Sequence, residues 1–173
     1  KRMPLSSAST SPLRILVKVL IAFFVGSVAI GVLRAHGVPP RAIDLAFPLR
    51  GGSFLVMHGG STSAANMHNV DPVQRYAVDV VQLNGAWMRA RGLYPRQLER
   101  YAIFGAEVLS PCDGEAIAAE DAHADLEPGR VDEKNRAGNH VVIRCGDAAV
   151  TLAHLARGSV TVRAGTQVTQ GQR

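Results

Sequence analysis

The sequence predicts a mainly β protein in which an N-terminal transmembrane helix is followed by an antiparallel β-sheet domain. Residues 15 to 33, ILVKVLIAFFVGSVAIGVL, are apolar except for Lys18 and Ser27. From residue 107 onward, short apolar or alternating runs are separated by Gly-containing turns every eight to twelve residues, as in hairpin-connected strands. The apolar share of the 173 residues is 47%, enough for a core.

The helix comes first. As a helix the 15–33 run would be about 28 Å long, close to the roughly 30 Å of a hydrocarbon core. Lys1, Arg2, Arg14 and Lys18 lie at its N-terminal side. That bias predicts a basic cytoplasmic segment over residues 1–14, an exported chain after the helix, and a snorkelling Lys18. The run after Lys18 is fifteen residues with only Ser27 polar, and VGSVA has the small residues of a cleavage site, so 15–33 reads as an anchor or a signal segment. Either way the domain is exported, to the periplasm or the cell exterior.

Charge excludes one class of function. Residues 1–50 carry seven basic side chains against the single acid Asp44, whereas the remainder carries twelve basic and thirteen acidic groups. The formal charge of +5 is therefore a property of the N-terminal part, and no nucleic-acid partner is expected.

Residues 34–50, with HGVPPRA at 36–42, read as a linker, and 51–173 as the domain. FLVM is a short strand between two Gly pairs, followed by a polar Ser/Thr/Asn loop. RYAVDVVQL, 75–83, reads as a strand with Tyr76, Val78 and Val80 on one face and Ala77, Asp79 and Val81 on the other. AWMRARGLYPRQLERYAIFG reads as a short helix or an extended excursion stopped by Pro95. Strands are then expected at 114–120 and 139–145, a further strand through VTLAHL, and another around Val160 and Val162. In strict alternation Val150, Leu152 and His154 share a face. If 114–120 pairs with 139–145, Cys112 falls close to opposite Cys145, which leaves a cross-strand disulfide or two free thiols. Neither cysteine belongs to a C-x-x-C pair, so a cysteine zinc site is not expected.

His68, Asp79 and His154 stand in apolar or Gly-rich contexts. Imidazole and carboxylate ligands around an open position are what a catalytic zinc requires. Each residue alone has a plainer reading: a packed or hydrogen-bonded histidine, or an aspartate that caps a turn or pairs with arginine. Asp121, His123 and Asp125 alternate in a way that could hold a metal, but a loop so acidic reads as simply solvated. His140 reads as a strand-edge residue. Trp87 and its neighbouring arginines either line a glycan groove or stabilise the excursion.

The order QRYAVD, GAEVLSPCDGEAIA, GNHVVIRCGDAAVTLAHLARGSVTVRAGTQVTQGQ, covering residues 66–172, resembles the lysostaphin-type zinc metallopeptidases, endopeptidases that cut peptidoglycan cross-links. The resemblance implies a barrel-sandwich hybrid β domain and a Zn2+ cofactor. It implies zinc ligands at Asp79, which ends the family's first strand, and at His68. It implies a catalytic group at His154, in the Leu-Ala-His-Leu version of the family's strand motif, beside the attacking water. Peptidoglycan peptide is the implied substrate, and residues 15–33 are the contact with the membrane.

Two departures qualify the match. Most members carry a histidine four residues before the aspartate, where this chain has Arg75; His68 is eleven residues before Asp79, and His58 competes with it. The family's third ligand comes from a His-x-His pair about thirty residues after the strand motif, and no histidine follows His154. The domain is accordingly read as partial, incomplete at the C-terminus, and inactive as it stands. A degenerate member that binds wall components or activates a partner hydrolase is the alternative. A biotinyl- or lipoyl-like carrier, suggested by DGEAIA and the spaced Val/Gly pattern, would need a modifiable hairpin lysine; the only one after Lys18 is Lys134, in the acidic loop.

Overall fold

The computed structural model describes residues 11–38 and 40–173; Lys1 and Arg2 of the basic segment lie outside the described residues. The architecture is mixed rather than mainly β: one apolar helix and antiparallel sheets. The residues fall into two compact units, one built from the N-terminal part through Pro40 with Met57–Asp79, the other from Arg41–Val56 with Val80–Arg173.

In the first unit, helix α1 covers Pro12–Arg34. Pro12 opens it, where the missing N–H costs no hydrogen bond. The helix is apolar all round, with a mean hydropathy of 2.5 and none of it buried, and it is long enough to span a membrane or to serve as a signal sequence. Its last carbonyls accept from the backbone N–H groups of Ala35, His36 and Gly37 in the turn that follows, and the polar loop adds to this end. Ser61 donates through its backbone N–H to the Ala35 carbonyl at 3.2 Å, and the Thr62 hydroxyl donates to the Gly31 carbonyl at 2.8 Å. A Cβ at Gly31 would stand 2.7 Å from that of Ala64, so glycine permits this approach.

In the second unit, strands β1 (Ser53–His58) and β2 (Asp79–Leu83) form a two-stranded sheet; the terminal residues Met57, His58 and Asp79 belong to the first unit. The expected strand over 75–83 thus starts only at Asp79. The residues before it form a turn in which Ala77 N–H donates to the Gln74 carbonyl. A buried asparagine amide takes the carbonyls of Arg75 and Ala77, so they do not join a ladder.

The main sheet contains β3 (Gly114–Glu120), β4 (Asn139–Cys145), β5 (Ala148–Leu155) and β6 (Gln167–Val168), in the order β5-β4-β3-β6, antiparallel throughout. Along β4 the buried positions alternate: Asn139, Val141, Ile143 and Cys145. Val141, Ile143 and Cys145 pack with Cys112, Ala116 and Val168, and Val150, Leu152 and Leu155 close over them. Cys112 and Cys145 are joined as a disulfide, Cα to Cα 5.9 Å. Gly114, the first residue of β3, is required by contact: any Cβ there would collide with the Arg144 carbonyl. The strand expected around Val160 and Val162 does not form. Both side chains nonetheless pack against the core, and the pairing with β3 is made by Gln167–Val168.

Candidate functional site

The first unit brings His68 and Asp79 together. His68 lies in a short 3-10 turn, Met67–Val70, and its Nε2 donates to Asp79 Oδ2 at 2.9 Å. The eleven-residue separation is closed by Asn66, the fully buried N-cap of that turn. Asn66 Oδ1 accepts from the His68 N–H at 3.0 Å, and its Nδ2 donates to the carbonyls of Gly60, Arg75 and Ala77 at 3.0 to 3.1 Å. One amide thus fixes the loop before His68 and the turn before Asp79. Asn69 Nδ2, donating to the Ser61 carbonyl at 3.0 Å, adds a second stitch. Arg75 is exposed and contributes its carbonyl to this frame.

The His58 ring stands edge-on to His68, centroids 6.2 Å apart. The competitor therefore shares the neighbourhood of the pair. Among the described residues, no three His, Cys, Asp or Glu side chains are arranged to hold a metal ion. The pair itself suits zinc in chemistry, and side-chain exposures of 25% for His68 and 46% for Asp79 leave both atoms accessible. Two tetrahedral zinc ligands stand about 3.3 Å apart when each bond is about 2.0–2.1 Å. From 2.9 Å the hydrogen-bonded pair would need to open by only about 0.4 Å, with the proton moved off Nε2 so that its lone pair faces the metal.

His154 lies in the second unit, and its placement corrects the alternation expected for β5. Opposite Asn139–Val141 of β4, which pair with Leu155 and Leu152, β5 holds one extra residue. His154 takes up the bulge in a left-handed conformation, φ 59°, with its N–H donating to the Ala137 carbonyl at 3.0 Å. The bulge reverses the pattern beyond it: Leu155 joins Val150 and Leu152 on the core, and His154 turns outward and is exposed. Asn139, buried beneath, exchanges hydrogen bonds with the backbone of His123 and donates to the Leu155 carbonyl, which fixes the strand end in this register.

Next to it is an open cleft of about 380 Å³ lined by Glu120, His123, Lys134, Arg136, Gly138 and His140. A Cβ at Gly138 would stand 4.0 Å from His154 Nδ1, so the exposed imidazole lies beside the Gly138 edge of the cleft. His140, second in β4, is turned by its Nδ1–H toward the Gly138 carbonyl at 2.8 Å. The acidic loop is not merely solvated. Asp121 Oδ1 accepts from the Gly158 N–H at 2.8 Å and Asp125 Oδ1 from the Arg157 N–H at 2.9 Å, pinning the turn after β5.

Asn66 and Asn139 are the residues that pattern reading missed. Their only local sign is an asparagine in a polar loop two residues before His68, and another heading the otherwise apolar strand that carries His140. Comparison of the chain with protein-family models, with curated proteins and with solved structures yields no match.

Proposed function

We propose that the protein is an exported, membrane-associated zinc endopeptidase of the lysostaphin type that hydrolyses peptide cross-links of peptidoglycan, with the main sheet as part of that family's β domain. The observation that carries this reading is the His68–Asp79 pair, 2.9 Å apart across eleven residues and held by a buried asparagine. The expected export and the cytoplasmic N-terminus rest on the charge bias around α1.

His68 Nε2 and Asp79 Oδ2 would hold the metal, Asn66 fixing the backbone that aims the imidazole. When bound, zinc supplies the Lewis acid that polarises the scissile carbonyl and lowers the pKa of a water to about 7. A tetrahedral site needs a further protein ligand; the resemblance expects it from a His-x-His pair, and His58, its ring centroid 6.2 Å from that of His68, is a second candidate among the described residues. The resemblance would give His154 the proton-transfer role in that hydrolysis, as an imidazole taking a proton from the attacking water and passing it to the departing amine. Its exposure beside the cleft supports that role.

The test is release of cleaved muropeptides from purified peptidoglycan by the membrane-reconstituted protein to which a C-terminal segment carrying a His-x-His pair has been joined, followed by mass spectrometry. Cleavage should require zinc and vanish on chelation and in His68→Ala and Asp79→Ala, whereas His154→Ala should keep zinc and lose cleavage. Zinc retention without cleavage by that extended protein would support the degenerate reading. Cleavage indifferent to chelator would sink the zinc assignment.

A further inference from the structure

The excursion between β2 and β3 is ordered, basic and tipped with large apolar side chains that nothing covers. Asn84 builds its first turn: its N–H donates to the Met88 carbonyl at 2.9 Å, and its Oδ1 accepts from Ala86 N–H at 2.9 Å and Met88 N–H at 3.1 Å. The base is closed by an antiparallel bridge between Ala90, 5% exposed, and Tyr101, whose hydroxyl donates to the Pro95 carbonyl at 3.1 Å. On this frame Trp87 is 76% exposed, Leu93 97% and Tyr94 69%. Trp87 and Tyr94 are held at φ 59° and 54°, a costly backbone for bulky residues that persists only where the surroundings fix it.

The charge around these tips is of one sign. Arg89, Arg91, Arg96 and Arg100 stand against the single acid Glu99, all five exposed, and among the described residues none of the four arginines makes an ion pair. Arg89 stacks on the Tyr94 ring at 5.1 Å, and Arg100 reaches the Arg91 carbonyl at 3.5 Å. Arg91 and Arg96 stand free of such side-chain contacts among the described residues. Protruding Trp, Leu and Tyr ringed by unpaired guanidinium groups match the chemistry of a bilayer interface, where aromatic rings sit at headgroup depth and arginines meet lipid phosphates. A glycan groove would instead present flat aromatic faces with hydrogen-bonding side chains; Met88 and Leu93 offer a sugar nothing.

We propose that residues 84–105 form a membrane-contact loop that inserts Trp87, Leu93 and Tyr94 at the surface of an anionic bilayer. Where α1, long and apolar enough to span a membrane, serves as an anchor, the chain is held at a bilayer already and the loop needs only a weak intrinsic affinity to be bound. The loop would hold the domain against the membrane, an arrangement that stands or falls independently of the zinc reading.

Trp87 is the only tryptophan in the chain, so native fluorescence reports on this loop alone. The full chain would be reconstituted in nanodiscs of zwitterionic lipid and of zwitterionic lipid mixed with phosphatidylglycerol, each with and without brominated acyl chains. The expected result is a blue-shifted Trp87 emission in anionic discs, quenched by brominated chains and shielded from acrylamide, and weakened at high salt. Arg91→Gln and Arg96→Gln should each lower the bound fraction's equilibrium constant roughly fivefold, with unchanged far-UV circular dichroism. Emission typical of water in anionic discs, open to acrylamide and insensitive to bromine, would overturn the proposal. So would equal burial in both lipids, or a shift produced by soluble peptidoglycan fragments and not by anionic lipid.

Discussion

The main sheet and the loop from Gly59 to Val78 solve the same problem by opposite means. In the sheet, β4 buries every second residue between two partner strands, and a disulfide links its last residue to the turn before β3. In the loop, Val70 is 81% and Val73 93% exposed, and the one fully buried side chain is Asn66. The sheet is held by apolar area and a covalent tie, which tolerate small shifts. The loop is held by an amide whose hydrogen bonds are directional, so its geometry is either right or lost. The candidate zinc pair belongs to the second kind of region, and stability and function should therefore separate under mutation.

The largest separation should come from the disulfide. Closing a chain segment over 33 residues of separation is worth roughly 3–4 kcal/mol in the chain-entropy account. Reduction, or Cys112→Ser with Cys145→Ser, should lower the thermal midpoint by a corresponding amount, read by circular dichroism. Zinc affinity measured by competition with a chromophoric chelator at a temperature where the protein stays folded should be unchanged. A large loss of zinc affinity in the folded, reduced protein would mean that the two regions are not separable.

Asn66→Ala is the converse. Removing an amide that meets four part-buried backbone groups costs up to about 1–3 kcal/mol per group left unpaired, less what water recovers. Global stability should fall by less than on reduction, because the loop can open locally, whereas zinc affinity should collapse as His68 loses its fixed turn. Asn66→Asp keeps the acceptor for the His68 N–H and loses the donor, so it should retain more affinity than Asn66→Ala. Equal affinities for both variants would show that the acceptor does not position His68.

At the bulge the predicted effect is smaller and of another kind. Asn139→Leu should cost about 1–3 kcal/mol through the unpaired His123 backbone and Leu155 carbonyl, and should release His154 from its left-handed conformation. Amide exchange at His154 should accelerate while that at Ile143, in the middle of β4, stays slow. Uniform acceleration along β4 would show that the asparagine supports the sheet rather than the bulge.

What pattern reading recovered and what it missed divide along this same line. The bounds of β3 and β4 were legible because apolar runs of that length, closed by Gly and Asp turns, have few other ways to be buried. The proximity of Cys112 and Cys145 followed from that pairing. Strand 75–83 was overextended because alternation cannot register that Asn66, nine residues earlier than Arg75, takes the carbonyls of Arg75 and Ala77. His154 was placed on the wrong face because a bulge inserts one residue and reverses every side chain beyond it. Both errors have one physical source: a buried asparagine that redirects backbone hydrogen bonds leaves no periodic trace. His68 and Asp79, by contrast, were named as a pair, and the fold places them in contact.

The smallest effect tests the surface of the sheet region. The Arg50 guanidinium donates to Glu107 Oε2 at 2.7 Å, and that hydrogen bond, with the charge of Arg50 and then of Arg173, holds the Glu107 carboxyl below its ordinary value of 4.5. A carboxylate whose folded pKa is depressed adds stability that is fully present above the unfolded value and is lost as pH falls through the folded one. Unfolding free energy should therefore decline as the medium is acidified below about pH 4.5. Asp132, lowered by the Asn135 amide and the Lys134 N–H, adds a second contribution of the same sign. Arg50→Gln should flatten this acid limb and barely change stability at neutral pH, because both partners are exposed and the pair is screened by salt. Urea titrations of the two proteins at several acid pH values, with and without added salt, would read the difference. An acid limb unaltered by Arg50→Gln would assign it to other carboxylates, and one that persists at high salt would place its origin in the buried region instead.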